Sequence, residues 1–560
     1  MNLLALIILS IVFLSLGYFI YGRLLSKWFK LSNANITPAY QFKNDEDFIP
    51  TDKFYLLNQH LSAIAAAGPI VGPILAGMWF GWLPTVLWIV FGGIFIGGVH
   101  DFLSVVASLR HQGKSIAEVI KSAMGKRAFF IFLWFLWFSL VYIIAAFTDV
   151  TAGTFSESAR GPAIASASML YLLLALIKGF VIRRFNLNLA LSTAIFLPLV
   201  FVCIWLGTQW PLNLPPIFGL DQKMTWNVAL LAYCFIAAVI PMWILLQPRG
   251  YLGGFFLLMT VGVSLIGIIV GSFTGAFSIH YPSFVSWTSP QGFPLFPILF
   301  VTVACGACSG FHCLIASGTT SRQLKYETDA RVVGYGGMLL ESFVAVMALG
   351  TVMILTTDQI KILGGPDQIY ANGIATFLGS LGINKDMALN FALLAFATFI
   401  YDTLDVATRL GRYVFEELTG WKTQWSPYAA SLITLLLPLW FLTRTVTDAQ
   451  GKIIPGWKIF WTVFGASNQL LAALVLFGLS AWLFQKRMKH PVALIPAIFM
   501  ILIATFSLFL IIKPWLVTMM TQHTWIADPI GLTCITLFAL TFFLIWEGIK
   551  AFRGDRGKIS

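Results

Sequence analysis

The sequence predicts an all-α polytopic membrane protein of about fifteen transmembrane helices, with its N-terminus outside and its C-terminus inside. Three observations predict it. Of 560 residues, 58% are hydrophobic and only 10% are charged, against about 25% charged in ordinary soluble domains. Apolar stretches of about 20 residues, enough to cross a bilayer, recur along the whole chain. Lysine and arginine favour alternate loops: eight of the 35, from Arg160 to Lys513, fall in segments placed outside, leaving 27 inside. That asymmetry is the positive-inside bias. No single water-soluble domain could bury 50 phenylalanines and 20 tryptophans in a chain this apolar, which excludes a soluble enzyme or a nucleic-acid-binding protein. The net charge of +12 reflects basic cytoplasmic loops instead of a DNA footprint.

The stretches run 4–23, 60–79, 84–108, 128–151, 162–182, 187–207, 226–246, 250–275, 294–317, 330–356, 386–409, 427–443, 459–484, 491–513 and 527–549. Met1 to Ile20 has no basic n-region, since Arg23, Lys27 and Lys30 follow the apolar run, so it reads as a span and not as a cleavable signal. Leu24 to Asn58 is the longest polar stretch and is read as a cytoplasmic loop. Pro366 to Leu381 is a shorter amphipathic segment, either re-entrant or interfacial. The helical rhythm breaks near 357–385, dividing residues 1–370, with about ten helices, from a five-helix region at 386–550. The six cysteines lie in apolar runs without disulfide-like spacing.

Two spans look broken. The second contains Gly68-Pro69 and Gly72-Pro73, two Gly-Pro steps that remove amide donors and loosen the ladder in mid-membrane. The ninth contains Ala304-Cys305-Gly306-Ala307-Cys308-Ser309-Gly310-Phe311-His312, then Ser317-Gly318-Thr319-Thr320. Irregular backbone at that depth is tolerated only against protein or a water-filled cavity. The two spans run in opposite directions, the arrangement that inverted-repeat transporters use to build a midplane site. The competing reading is a proline kink with small residues for close helix packing.

Ionisable residues inside a membrane are costly and need a partner or a role. Asp101, beside His100, suits a group that binds and releases a proton, or else is satisfied by hydroxyls such as Ser104. Asp402, Asp405 and Arg409 share a helix face, and Asp405 precedes Arg409 by four residues, the favourable order for an ion pair. That pair could lock the helix, or Arg409 could neutralise an anionic substrate. Glu341 is a lone carboxylate in the tenth span. His312 could contact substrate or be a satisfied structural histidine, and Asp149 could simply reach outer water. Asn468 and Gln469 read as interhelical polar contacts. Cys305, Cys308, His312 and Cys313 superficially offer metal ligands, but on one helix Cys313 points away from the others. No metal and no cofactor are expected. No phosphate loop, dinucleotide fingerprint or nucleophile elbow is present, so no catalytic residue is assigned and an ion gradient is the remaining energy source for uphill transport.

The segments Ala67-Gly-Pro-Ile-Val-Gly-Pro-Ile-Leu, Gly98-Val-His-Asp-Phe and Pro241-Met-Trp-Ile-Leu-Leu-Gln-Pro-Arg-Gly-Tyr-Leu resemble the carbon starvation protein A family. So do Gly334-Tyr-Gly-Gly-Met-Leu-Leu-Glu-Ser-Phe, Trp461-Thr-Val-Phe-Gly-Ala-Ser-Asn-Gln-Leu and the two segments of the ninth span. The resemblance implies a multi-pass carrier of the bacterial inner membrane with a LeuT-like inverted-repeat core. It implies uptake of short peptides or pyruvate with proton symport under carbon starvation. The family usually has glutamine where this chain has His100, and its larger members carry extra helices before the segment matching Asp405, so substrate preference need not transfer. On this reading Gly68, Gly72, Ser309, Gly310, His312 and Arg409 bind substrate, with amide donors exposed at a half-helix start near Gly72-Pro73 or Gly310. Asp101, Glu341 and Asp405 couple the proton, and Asn468 and Gln469 are structural. The partners are a small substrate, a coupling ion and lipid, with no nucleic acid. A passive channel and a membrane-embedded sensor or enzyme are the rival readings.

Overall fold

The computed structural model describes residues 2–553 apart from 45–47, 66, 158, 186, 188, 218, 242–243, 276, 445, 448–452, 455 and 523–528. Within them the chain is helical, save for a short antiparallel pairing of Val446–Thr447 with Ile453–Ile454 and isolated bridges. Among the described residues eleven helices are long and apolar enough to cross a membrane, twelve if the pair Lys53–Ile64 and Gly68–Phe80, bent by 51°, counts as one span. The expected fifteen is thus an overcount for full-length apolar spans. The other three stretches are helical but fall short. Gln222–Val239 has 18 residues and opens on polar ones, Ser426–Leu442 has 17, and the ninth stretch stops at Val303 and resumes at His312. Pro366–Gly379 is a 14-residue helix with one buried face, and its Phe377 meets the ring of Phe277 at 5.4 Å.

Depth in the bundle follows residue content. The apolar window of Val463–Gln485 is wholly buried, whereas only a third of the window in Leu191–Gln209 is. Central helices carry the small and polar residues, while peripheral ones turn Phe180, Trp205 and Phe542 outward, where lipid replaces water as the apolar solvent.

The two broken spans pack antiparallel. Moving down the first, His60 meets Thr320, Gly68 meets Cys305, and Gly72 faces Thr302, so the partner sequence is read backwards. A Cβ on Gly72 would lie 2.5 Å from the Thr302 carbonyl oxygen, so only glycine lets the two backbones approach this closely.

Loops sort to two ends. At one, Glu327 accepts from Ser32 N–H at 3.0 Å and from Arg110 Nε at 2.9 Å, and Arg322 Nε donates to Gly113 O at 3.1 Å. At the other, Leu3 N–H donates to Phe277 O, Leu83 N–H to Ser283 O, and Arg160 to Asp386 at 2.6 Å. The first end gathers loops that the charge alternation places inside; the second gathers those it places outside.

Candidate functional site

Asp101 sits in the first turn of the Gly98–Arg110 helix, directly after a π-helical turn at Gly93–Gly97. Glu341 follows a π-helical turn at Arg331–Tyr335 in the same way, in the helix Gly336–Met353. Such a turn inserts a residue and resets the helix face beyond it. His312 is the first residue of the half-helix that resumes the second broken span. These elements bring four side chains together, each with no exposed surface. His312 Nδ1 is 2.7 Å from Asp101 Oδ2, and its Nε2 is 3.1 Å from Glu341 Oε2. His100 Nδ1 is 2.7 Å from Asp101 Oδ1. The His312–Glu341 approach is within ion-pair reach without hydrogen-bond alignment, and neither Glu341 oxygen has a hydrogen-bond partner among the described residues.

The arrangement limits what His312 can donate to. An imidazole with a carboxylate oxygen near each nitrogen can donate to both only as imidazolium, since a neutral ring has only one N–H. A buried carboxylate without a hydrogen bond is costly, and Glu341 is such a group among the described residues.

A cavity of about 370 Å³ is lined by His60 but by none of these four side chains, and its volume is within the range of about 300–1,000 Å³ typical of small-ligand sites. His60, Arg249, Ser317, Asp405 and Arg409 line it, and Arg322 and Glu417 stand toward the basic end. His60 lies between cavity and cluster: its Nδ1 is 2.8 Å from Thr320 Oγ1, and its ring packs on Gly337, one turn before Glu341.

Asp405 and Arg409 do not make the expected i,i+4 ion pair. Asp405 Oδ2 accepts instead from the Arg249 guanidinium and from the Tyr233 hydroxyl, the latter at 2.7 Å. Arg409 donates to the carbonyls of Ala237, at 2.7 Å, and Ile240, while Arg412 reaches Ala238 O at 2.8 Å. These are the orphan carbonyls at the end of Gln222–Val239, where a cation is favoured. The Asp402 side chain lies outside the described residues. Asp149, at the opposite end, is 3.3 Å from Lys223.

The glycines expected to present amides to a substrate lie elsewhere. Gly68 and Gly72 line the contact between the broken spans, and the half-helix begins at Gly68, not near Gly72. Gly310 N–H donates to Asn468 O at 3.2 Å, so that amide is taken. Phe311 N–H donates to Asn468 Oδ1 at 3.0 Å, and Asn468 Nδ2 donates to Ser309 Oγ at 3.0 Å. Asn468 thereby satisfies the second break, and Gln469 Nε2 donates to Phe300 O at 3.3 Å. None of these residues lines the cavity. Arg249 and His60, which do, were not singled out from sequence. A signal for Arg249 existed: it is the one lysine or arginine between Lys223 and Arg322, but it reads equally as a loop charge.

The pattern of the family described as "Carbon starvation protein CstA" matches residues 2–369 and 356–507. The chain belongs to the carbon starvation protein CstA family. The peptide transporter CstA of Helicobacter pylori (strain ATCC 700392 / 26695) is 32% identical over 92% of this chain and 82% of its own. The peptide transporter CstA of Bacillus subtilis (strain 168) is 32% identical over 85% and 84%. The pyruvate/proton symporter BtsT of Escherichia coli (strain K12) is 30% identical over 86% and 78%. This CstA family member is accordingly a multi-pass secondary transporter and not an enzyme. Among solved structures, a manganese transporter of Eremococcus coleocola overlays with a TM-score of 0.49 at 13% identity, covering 94% of this chain and 99% of that one. MhsT in complex with L-phenylalanine gives 0.48 at 13%, covering 82% and 99%. Overlays this loose leave the LeuT-like core resting on the family resemblance.

Proposed function

We propose that this CstA family member is a proton symporter that imports a small carboxylate-bearing nutrient, pyruvate or a short peptide, across a bacterial inner membrane under carbon starvation. The observation that carries the reading is a ligand-sized cavity that His60 separates from a buried cluster of ionisable side chains, where two antiparallel broken spans pack together. In a LeuT-like scheme of alternating access, broken spans of this kind form the midplane site about which one repeat rocks against the other. The cavity opens toward the basic end, the cytoplasmic one by the positive-inside rule, which suits a state about to release substrate. Asp101, His312 and Glu341 hold the travelling proton, and His60 is the side chain through which it reaches the cavity. The names of the relatives support both substrate classes, peptides and pyruvate, and one of them supports proton coupling.

The test is uptake of labelled pyruvate and of a labelled dipeptide into proteoliposomes, first under an imposed proton gradient and then under a sodium gradient. Accumulation of one substrate under the proton gradient, abolished in Asp101→Asn while exchange of bound substrate persists, is the expected outcome. Accumulation driven only by sodium would overturn proton coupling. Flux without saturable counterflow would point to a passive channel.

A further inference from the structure

We propose that Arg249 is the carboxylate-binding cation of the cavity and that Asp405 is its resident competitor. An incoming carboxylate takes the place of Asp405 on the guanidinium while Asp405 takes up a proton. The proposal rests on the transporter reading only in taking the cavity as the place where substrate binds.

Arg249 lies in the first turn of the helix Leu246–Phe273 and is almost completely buried, yet it borders the cavity together with Asp405. Its Nη1 reaches both Asp405 Oδ2 and the Tyr233 hydroxyl. A guanidinium out of bulk water needs a counter-anion, and Asp405 is one when the cavity is empty. An added anion brings one more buried negative charge with no cation to match it, which is expensive. Asp405 cannot move away, because it sits in the middle of the long helix Lys385–Thr419. Protonating it in place restores neutrality.

The surroundings permit that exchange. Tyr233 now donates to Asp405 at 2.7 Å; when Asp405 is protonated, the hydroxyl can turn and accept its proton, since a phenol serves in either sense. From the same helix as Tyr233, Cys234 also faces Asp405. On the Asp405 helix itself Arg409 is committed to the carbonyls of Ala237 and Ile240, so it stays put under either anion. Across the cavity stand His60, Arg322 and Glu417. One O–H bond breaks in a hydronium ion of the cavity, leaving water, and one forms on Asp405; one proton and one carboxylate enter together, with no change in the site's net charge. Arg249 is chemically suited to this, because its planar fork matches a carboxylate.

The experiment uses the purified full-length protein in lipid nanodiscs, with pyruvate and dialanine as probes and pyruvamide and dialanine amide as neutral counterparts. Binding is measured by calorimetry, and proton uptake by an indicator in weakly buffered solution. The wild type is expected to bind a carboxylate probe with uptake approaching one proton per site, and with affinity falling about tenfold per pH unit once Asp405 is ionised in the empty site. The amides should bind at least tenfold more weakly. Asp405→Asn should bind the carboxylate without proton uptake and with affinity flat in pH. Arg249→Gln should lose binding, and Arg249→Lys, which keeps the charge if the glutamine variant fails to fold, should retain weakened binding that still takes up a proton. Binding by the wild type without proton uptake, equal binding of amide and acid, unchanged pH dependence in Asp405→Asn, or no carboxylate binding at all would overturn the proposal. Carboxylate binding with proton uptake in a protein that accumulates nothing in vesicles would sink the transporter reading alone.

Discussion

At the scale of single residues, His312 is the hub: it is the side chain that reaches both buried carboxylates, Asp101 at 2.7 Å and Glu341 at 3.1 Å. Glutamine is close in size but cannot carry the extra proton. His312→Gln should therefore reduce gradient-driven accumulation at least tenfold while leaving counterflow of bound substrate within a few-fold of wild type. Glu341→Gln mimics a permanently protonated carboxyl and should flatten the pH dependence of uptake with a smaller loss of rate. Equal loss of accumulation and counterflow in both variants would mean that the cluster only holds the fold. Asp101, His312 and Glu341 were each legible in the sequence, because an ionisable residue inside an apolar span stands out. Their meeting was not. Asp101 and His312 are 211 positions apart, and nothing in local spacing says which helix faces will be opposed. The same blindness explains Asp405: its spacing to Arg409 permits an ion pair, but the partner that won comes from another helix, and Arg409 was drawn to unsatisfied carbonyls that only the fold reveals.

At the scale of elements, the two breaks were readable because glycine and proline announce them, and the antiparallel pairing followed from span parity. Less readable was where each half-helix restarts, since that depends on which amides find partners. In the second break the partner is Asn468, which supplies both its carbonyl and its side chain to the unwound segment. The span count failed for a related reason: a run of apolar residues has the same composition whether it is whole, interrupted or a little short. Close backbone approach makes a quantitative claim. Gly72→Ala places a methyl 2.5 Å from the Thr302 carbonyl oxygen, a backbone atom that cannot swing aside. It should cost about 1–3 kcal/mol, the usual range for overpacking. Gly379→Ala meets nothing within 4 Å at the end of its helix and should be neutral or slightly stabilising. Thermal unfolding of both variants in one detergent compares them directly, and equal stability would show that the broken spans separate easily.

At the scale of the whole molecule, two independent properties agree. Charge alternation sorts the loops into inside and outside, and the folded chain gathers the same loops at opposite ends. The basic end holds Arg110, Arg322 and the loops they tie together; the other holds the 274–294 segment, whose Val285 N–H donates to Phe80 O at 3.1 Å. Cations resist transfer across the bilayer and are retained in the cytoplasm, so orientation follows from the charge, and with it the direction in which the cavity faces. Cysteine labelling can check this cleanly, because all six native cysteines are buried and should give little background. Thr288 and Thr423 are exposed at the two ends. With a membrane-impermeant maleimide, Thr288→Cys should be labelled in cells whose inner membrane is intact and reachable from outside. Thr423→Cys should be labelled only after that membrane is opened. The reverse pattern would invert the molecule, turn the cavity toward the outside, and make the described conformation one that receives substrate instead of one that releases it.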